Sequence, residues 1–138
     1  MISTLRERLN LRALFRTVDN GRVVEIFRGD ADWKPHLGRI GQVTQVTIQP
    51  EKTAGGHVHS EKREILCLLD GTLKGLFRDE ATGEILDIEI AAGTLLDLSP
   101  GISHLFINTG GIPARFFEFA NRPYDPENPD ARPVTLGF

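Results

Sequence analysis

Three of the four histidines lie in two short segments whose spacing suits metal binding. His57 and His59 are separated by one residue, so on a β-strand their side chains point to the same side. Glu64 follows shortly after and can return to that side once the chain bends. With His104 from a distant strand, the set comprises three imidazoles and one carboxylate, which suits Zn, Mn, Fe, Co or Ni. The spacing therefore predicts one divalent metal ion, most readily Zn, inside a β-barrel.

Strand patterns dominate the rest of the chain, as a barrel requires. Short apolar or alternating runs are separated by Gly-rich turns, which is typical of an all-β sandwich or barrel. In one such run, Thr44, Val46 and Ile48 share a face, and Asp70-Gly71 is a strong hairpin signal. Turns are also predicted at Asp19-Asn20-Gly21 and at residues 53–56. The predicted strands are residues 23–27, 41–49, 65–69, 72–78, 84–90, 94–98, 103–108 and 114–120.

The chain is predicted to form a single domain over residues 1–138. Residues 1–18 are predicted to be an N-terminal arm or a short helix. Residues 30–38 are predicted to form a loop. Residues 121–138 form a C-terminal tail whose first part is rich in Pro, Asp and Asn, which favours a loop docked on the domain.

Composition excludes several classes of function. A net charge of −3 argues against nucleic acid as a partner. No apolar run approaches the roughly 18 residues that a membrane span needs, and the N-terminus lacks the apolar core of a signal peptide. Cys67 is the single cysteine and lies in an apolar run, so it is expected to be a small buried hydrophobe in a protein of the reducing cytoplasm.

The two histidine segments resemble the signature motifs of the cupin superfamily. The first motif, G-x-x-x-x-x-H-x-H-x-x-x-x-E-x-x-x-x-x-x-G, is met except that Glu51 stands in place of the leading Gly. The second, G-x-x-x-x-x-P-x-G-x-x-H-x-x-x-N, begins at Gly93 and ends at Asn108, with Ser99 where Pro is usual and Pro100 one place later. This resemblance implies an all-β cupin fold, the double-stranded β-helix or jelly-roll barrel.

A narrower resemblance is to the C-terminal cupin domain of capsular-polysaccharide enzymes that epimerise UDP-linked 4-keto-6-deoxy sugars at C3. It lies in the order His57, Lys62, Glu64, in the turn at residues 100–104, and above all in the tail at residues 120–130. That tail has no evident metal-binding or catalytic role of its own. The dTDP-4-dehydrorhamnose 3,5-epimerases are a more distant relation. The resemblance implies a nucleotide-sugar epimerase or isomerase of polysaccharide biosynthesis that acts on a dTDP- or UDP-linked 4-keto-6-deoxy sugar, and a homodimer.

The sequence departs from these families at informative places. Ala54 and Gly55 stand where the first family often carries an Arg, which removes one expected contact to phosphate or sugar. Ser60 replaces a third consecutive His. The Arg-Gly-Leu-His motif, which goes with the metal-free His–Asp base of the rhamnose epimerases, is absent. The position that reacts is therefore left open.

Epimerisation beside a ketone needs a base, a cation or donor at the developing oxyanion, and a proton donor for the other face. A metal held by the predicted ligands would serve the oxyanion. Lys62 is the first candidate for the proton-transfer group, with a pKa expected to be lowered by the metal and by burial. His59 and Tyr124 are the other predicted catalytic residues, and His36 is a weaker candidate for the second donor.

A diphosphate-linked substrate requires local cations on an acidic protein. Arg63, Lys74 and Arg78 are the predicted substrate-binding cations, since Arg grips phosphate bidentately. Phe106 is the predicted aromatic contact to a base or sugar ring. Two alternatives stay open because they share the ligand set: a metal-dependent cupin of other chemistry, such as a dioxygenase or a phosphosugar isomerase, and a sugar-binding cupin without turnover.

Overall fold

The computed structural model describes residues 3–13, 15–18, 21–26 and 29–137, and β-strands dominate them. The helices are α1 (Leu5–Leu9) and α2 (Lys34–Leu37). The strands, in chain order, are β1 (Arg12–Ala13), β2 (Phe15–Val18), β3 (Gly21–Val24), β4 (Gln42–Ile48), β5 (Thr53–Val58), β6 (Glu64–Asp70), β7 (Thr72–Asp79), β8 (Ile85–Ala91), β9 (Thr94–Leu98), β10 (Ile102–Ile107), β11 (Ala114–Ala120) and β12 (Arg132–Pro133).

Two antiparallel five-stranded sheets form the body of the fold. The first has the order β1-β9-β6-β11-β4 and the second the order β12-β5-β10-β7-β8, while β2 and β3 form a separate hairpin. Neighbours in each sheet are often distant in sequence, as expected when the chain crosses repeatedly between two sheets. The predicted all-β jelly-roll barrel is confirmed.

Alternation along the strands explains which side of each sheet is buried. On β4, Thr44, Val46 and Ile48 turn inward, whereas Val43 on the other face is 51% exposed. On β8, Ile88 and Ile90 are buried between exposed acidic residues. These inward faces meet in one apolar core that draws on both sheets. A second, smaller cluster joins Trp33 on the segment before α2 to the outer side of the first sheet.

The N-terminal segment contains the predicted short helix, which covers only α1. Thr4 and Glu7 form a reciprocal capping box, with the Glu7 N–H donating to Thr4 Oγ1 at 3.1 Å and the Thr4 N–H donating to Glu7 Oε1 at 3.2 Å. Leu5 and Leu9 are fully buried on the same helix face. The helix is therefore fixed by its cap and by its apolar contacts with the barrel.

The sequence-based boundaries are wrong at three places. Residues 53–56 belong to β5 rather than to a turn, because Gly55 and Gly56 adopt positive φ within a paired strand. The predicted loop at residues 30–38 contains α2. The tail contributes β12, which pairs with the edge of β5. The predicted turn residues Asp19 and Asn20, and Phe27 at the end of a predicted strand, lie outside the described residues.

In the described part of the chain, we find no helix with the length and apolar character needed to cross a membrane. The expected cytoplasmic location and the expected homodimer stay predictions.

Phe77 tests how much the core between the sheets contributes to stability. Its side chain is fully buried and packs edge-on against Phe106, with ring centroids 5.9 Å apart. Phe77→Ala is expected to lower the free energy of unfolding by about 3–5 kcal/mol, measured by chemical denaturation. The control Ile112→Ala removes an apolar side chain that is 59% exposed and should change stability by less than about 0.5 kcal/mol. Similar losses in both variants would contradict this assignment of the core.

Candidate metal and substrate site

Pairing between β5 and β10 brings two of the predicted ligands together. His57 lies directly opposite His104, but the next residue along β10, Leu105, lies opposite Gly55. Gly56 is thus the extra residue of a β-bulge, and its φ of 78° suits a glycine in this position. Such bulges re-aim side chains next to functional sites. Here the bulge sets His57 in register with His104.

Gly55 allows the two strands to approach closely behind the histidines. A Cβ atom at this position would lie 2.8 Å from the His104 carbonyl oxygen and 3.2 Å from its ring. The φ of 93° also disfavours any residue with a side chain. Position 55 is therefore closed to side chains.

The three imidazoles form one cluster. Candidate ligand atoms of His57, His59 and His104 all lie within 4.8 Å of one another. Ring centroids are 4.6 Å apart for His57 and His59, and 4.8 Å apart for His57 and His104. His104 Nδ1 lies 3.3 Å from the carbonyl of Ile102, which can only accept a hydrogen bond, so Nδ1 carries the proton. Nε2 then has a lone pair with which it can bind a metal ion.

Glu64 at the start of β6 is the carboxylate next to this cluster. It is only 3% exposed, and its Oε1 lies 2.7 Å from His59 Nε2. Despite this distance, neither atom has an aligned hydrogen-bond partner among residues 3–13, 15–18, 21–26 and 29–137. Two buried polar atoms without aligned partners are satisfied by a cation that both contact. The three imidazoles are therefore close enough together to share one divalent metal ion, and Glu64 is an adjacent carboxylate that lies outside this group but contacts His59.

The protonation states favour metal ligation. Burial lowers the pKa of His104 to about 4, and burial followed by the neighbouring His59 lowers the pKa of His57. Burial raises the pKa of Glu64, but His59, His104 and Lys62 outweigh it and lower the pKa to about 2. Neutral imidazoles and an ionised carboxylate are the forms that bind a metal.

His59 differs from the other two imidazoles. Burial lowers its pKa, but Glu64 and the Asp130 carbonyl outweigh burial and raise it. The Asp130 carbonyl lies 2.6 Å from His59 Nδ1 and accepts its proton, which leaves Nε2 directed at the cluster. Nδ1 of His59 is thus hydrogen-bonded to the tail, and Nε2 lies beside Glu64 Oε1.

Lys62 lies beside the cluster, next to two carboxylates. Its Nζ donates to Glu118 Oε1 at 3.0 Å and lies 3.7 Å from Glu64 Oε1. Burial lowers the pKa of Lys62, but the two carboxylates outweigh it, so the pKa lies above the ordinary 10.5. Without a metal ion, Lys62 is therefore an ammonium ion held by two carboxylates, and the lowering of its pKa expected from a bound metal stays a prediction.

Glu118 on β11 is a site residue that the sequence analysis missed. Burial and the neighbouring Glu64 carboxylate raise its pKa to about 7, in spite of the Lys62 ammonium. Its position carried a signal, because it follows the buried Phe116 by two residues and so lies on the inward face of β11. A carboxylate on an otherwise apolar inward face is a candidate functional group.

A cavity of about 230 Å³ unites these groups. The cavity is lined by the four predicted metal ligands and by the proton-transfer candidates, namely His57, His59, Glu64, His104, Lys62 and Glu118. Apolar side chains from the strands form the rest of the cavity wall, namely Val46, Leu66, Phe106 and Phe116. The tail forms the rim of the cavity with Tyr124, Pro129 and Ala131. Tyr124 is 61% exposed, so it contacts the cavity from the solvent side.

Of the predicted substrate contacts, Phe106 lines this cavity and the three cations do not. Arg63 lies between Lys62 and Glu64, so alternation directs it elsewhere, and it lines a separate cavity with His36. Lys74 pairs with Asp87 at 3.2 Å, and Arg78 pairs with Glu80 at 2.5 Å. Both cations on β7 are therefore paired with carboxylates. Among the described residues that line the cavity, Lys62 is the lysine or arginine.

Residues 18–132 match the protein family described as the polysaccharide biosynthesis C-terminal domain. The chain is also 30% identical over 99 residues to a Pseudomonas aeruginosa UDP-2-acetamido-2,6-beta-L-arabino-hexul-4-ose reductase. This match covers 70% of the chain but 27% of the reductase, so the chain corresponds to about a quarter of that protein.

Two solved structures show the same fold. The capsular polysaccharide assembling protein CapF from Staphylococcus aureus matches with a TM-score of 0.64 and 26% identity, over 69% of this chain and 26% of CapF. NovW, a 4-keto-6-deoxy sugar epimerase from the novobiocin biosynthetic gene cluster of Streptomyces spheroides, matches with a TM-score of 0.70. NovW is 16% identical, over 87% of this chain and 65% of NovW, so its similarity concerns the fold alone.

The geometry of the histidine cluster predicts metal uptake. Purified protein should bind about one Zn²⁺ per chain, as measured by elemental analysis after dialysis, and His57→Ala or His104→Ala should lose it. Glu64→Gln should bind more weakly, because a neutral amide is a poorer ligand. The control His36→Ala removes the histidine outside the cluster and should keep the metal. Failure of the unaltered protein to take up added Zn or Mn would contradict the ligand assignment.

Proposed function

Because the chain belongs to the polysaccharide biosynthesis C-terminal domain family, we propose that it is an epimerase or isomerase of nucleotide-linked 4-keto-6-deoxy sugars in polysaccharide biosynthesis. The observation that carries the proposal is the juxtaposition, in one cavity, of a metal-ligand set and the hydrogen-bonded Lys62–Glu118 pair. The nucleotide is dTDP or UDP, and the active form is a homodimer.

The relatives support the class of substrate. The Pseudomonas aeruginosa relative is named for a UDP-linked 4-ketohexose derivative, and NovW is described as a 4-keto-6-deoxy sugar epimerase. CapF is described as a capsular polysaccharide assembling protein. The reductase and NovW descriptions share a keto sugar, which is a substrate on which a buried acid–base pair can act.

The reaction requires removal of a proton beside the ketone. The ketone acidifies the hydrogen at C3, because the resulting carbanion is delocalised onto O4. The site must accept that proton, stabilise the oxyanion at O4 and return a proton to C3. Return to the opposite face inverts the configuration at C3.

The resident metal belongs to this proposal. His57, His59, Glu64 and His104 would hold it, with Zn as the first choice and Mn, Fe, Co or Ni as alternatives. When bound, the ion supplies Lewis-acid stabilisation of an oxyanion. With its Nδ1 proton donated to the Asp130 carbonyl, His59 serves in this proposal as a metal ligand through Nε2 rather than as the base.

Lys62 and Glu118 divide the proton transfer in this scheme. Glu118, as the carboxylate, accepts the C3 proton, and Lys62, as the ammonium ion, donates a hydrogen bond or a proton to the enolate. Their direct contact at 3.0 Å keeps the pair together in the cavity wall. Tyr124, which lines the cavity from the tail, is the candidate donor for the opposite face of the sugar.

Solvent exchange tests the proposal most directly. In D₂O, the metal-loaded protein should exchange the C3 hydrogen of a UDP- or dTDP-linked 4-keto-6-deoxy sugar, followed by proton NMR. Lys62→Met and Glu118→Gln should each slow exchange by roughly 10²- to 10⁴-fold, the usual contribution of a general acid or base. Both variants should retain the metal. Lys52→Met, which alters an exposed lysine outside the cavity, is the matched control and should exchange at the unaltered rate.

Three outcomes separate the alternatives. Full exchange by Lys62→Met would assign the proton transfer to another group. A metal-loaded protein that exchanges no hydrogen from several nucleotide sugars would overturn the epimerase proposal. Binding of the sugar without exchange would identify a sugar-binding domain without turnover.

A further inference from the structure

Asp130, in the C-terminal tail, contacts two parts of the candidate site at once. It has a φ of 50°, in the left-handed region, and lies between two residues that line the cavity, Pro129 and Ala131. The following strand, β12, pairs with β5 at Val58 and His57. The tail is thus fixed to the strand that carries the first histidine.

The carboxylate of Asp130 binds the loop that joins β5 to β6. Its Oδ1 accepts the N–H of Ser60 at 3.1 Å, and its Oδ2 accepts the N–H groups of Glu61 at 2.9 Å and Lys62 at 2.8 Å. Three successive N–H groups directed at one carboxylate form a strong, charge-assisted contact. This contact determines where the backbone of Lys62 lies.

The carbonyl of the same residue binds His59. It lies 2.6 Å from Nδ1 and, because it can only accept, it requires the proton on that nitrogen. Nε2 is therefore the atom that faces His57, His104 and Glu64. Partners of this kind orient metal-binding histidines and raise the affinity for the ion.

We propose that Asp130 is a positioning residue that fixes the tautomer of His59 and the location of Lys62, and so couples the tail to the metal site and to the proton-transfer pair. The metal-affinity part of this inference rests on the proposed function. The tautomer part does not, because it concerns the metal-free protein. The left-handed conformation of Asp130 directs the carbonyl and the carboxylate to neighbouring parts of the loop, and asparagine and glycine are the substitutions that tolerate it.

Two variants test the carboxylate that holds the tail against the loop at residues 60–62. Asp130→Asn keeps the size and the backbone conformation but replaces one acceptor oxygen by an N–H donor, so it retains part of the contact with residues 60–62. Asp130→Gly keeps the left-handed conformation but removes the whole carboxylate, and with it the contact to residues 60–62 that holds the Asp130 carbonyl opposite His59 Nδ1. Asp125→Asn is the matched control, because Asp125 is an exposed tail carboxylate whose Oδ1 accepts the Glu127 N–H at 2.9 Å.

Two measurements on folded protein test the inference, with thermal unfolding used to confirm that each variant is folded. The first is the ¹⁵N chemical shifts of the His59 ring in metal-free protein, which report the tautomer. The second is Zn²⁺ affinity by competition with a chromogenic chelator. Asp130→Gly should mix the His59 tautomers and weaken Zn²⁺ binding by roughly 10- to 100-fold. Asp130→Asn should lie between Asp130→Gly and the unaltered protein, and Asp125→Asn should match the unaltered protein.

An unchanged His59 tautomer and an unchanged Zn²⁺ affinity in Asp130→Gly would overturn the inference. Equal losses in Asp130→Gly and Asp125→Asn would also overturn it, because they would show a general effect of the tail. If the unaltered protein binds no Zn²⁺, the proposed metal site fails, and the His59 ring shifts still decide whether Asp130 positions the imidazole.

Discussion

Burial of the Glu64 carboxylate is the constraint on which the rest of the site depends. A carboxylate taken out of water costs several kcal/mol unless charges and hydrogen-bond donors compensate it. Here the Lys62 ammonium at 3.7 Å supplies compensating charge, whereas His59 Nε2 at 2.7 Å makes no aligned hydrogen bond to the carboxylate. Lys62 in turn needs Glu118, whose carboxylate is partly buried as well. The buried charge of Glu64 thus depends on Lys62 in the loop before β6, which depends in turn on Glu118 on β11.

The apolar residues of the cavity make these charges matter. Phe106 and Phe116 lie between the site and the main core and pack against each other, with ring centroids 5.8 Å apart. Their side chains exclude water from the inner side of the cavity, and electrostatic interactions strengthen where the local dielectric is low. The shifted pKa values of His104 and Glu118 follow from the same burial. The barrel therefore contains an apolar core that stabilises the fold and, next to it, a cavity lined by charged side chains.

Much of the fold, and the clustering of three histidines, could be predicted from the sequence. Strands β9 and β11 have the predicted boundaries, because each is a mainly apolar run between turn residues. The three histidines could be found because spacing on a strand fixes the side to which a side chain points. Residues 53–56 were predicted as a turn because consecutive glycines usually mark one, whereas pairing with β10 here holds them in a strand.

The remaining parts of the site depend on contacts between residues far apart in sequence. No local pattern relates Asp130 to the loop at residues 60–62, because a backbone carbonyl and three N–H groups have no sequence signature. The raised pKa of Lys62 depends on Glu118, which lies on a strand that only the sheet order brings close. The ion pairs of Lys74 and Arg78 on β7 likewise could not be predicted from the order of charged residues in the sequence.

The pairing of the tail with the histidine loop also bears on the order in which the molecule folds. His59 and Asp130 are separated by 71 residues, and closing a loop of that length costs about 4 kcal/mol of chain entropy on a logarithmic scaling. The hairpin of β7 and β8 closes through only a few residues, so it forms much more cheaply. A chain that has formed its hairpins still lacks the contact between His59 Nδ1 and the Asp130 carbonyl until the tail is in place. At the proposed metal site, an ion would therefore be bound only after the strands and the tail are in place.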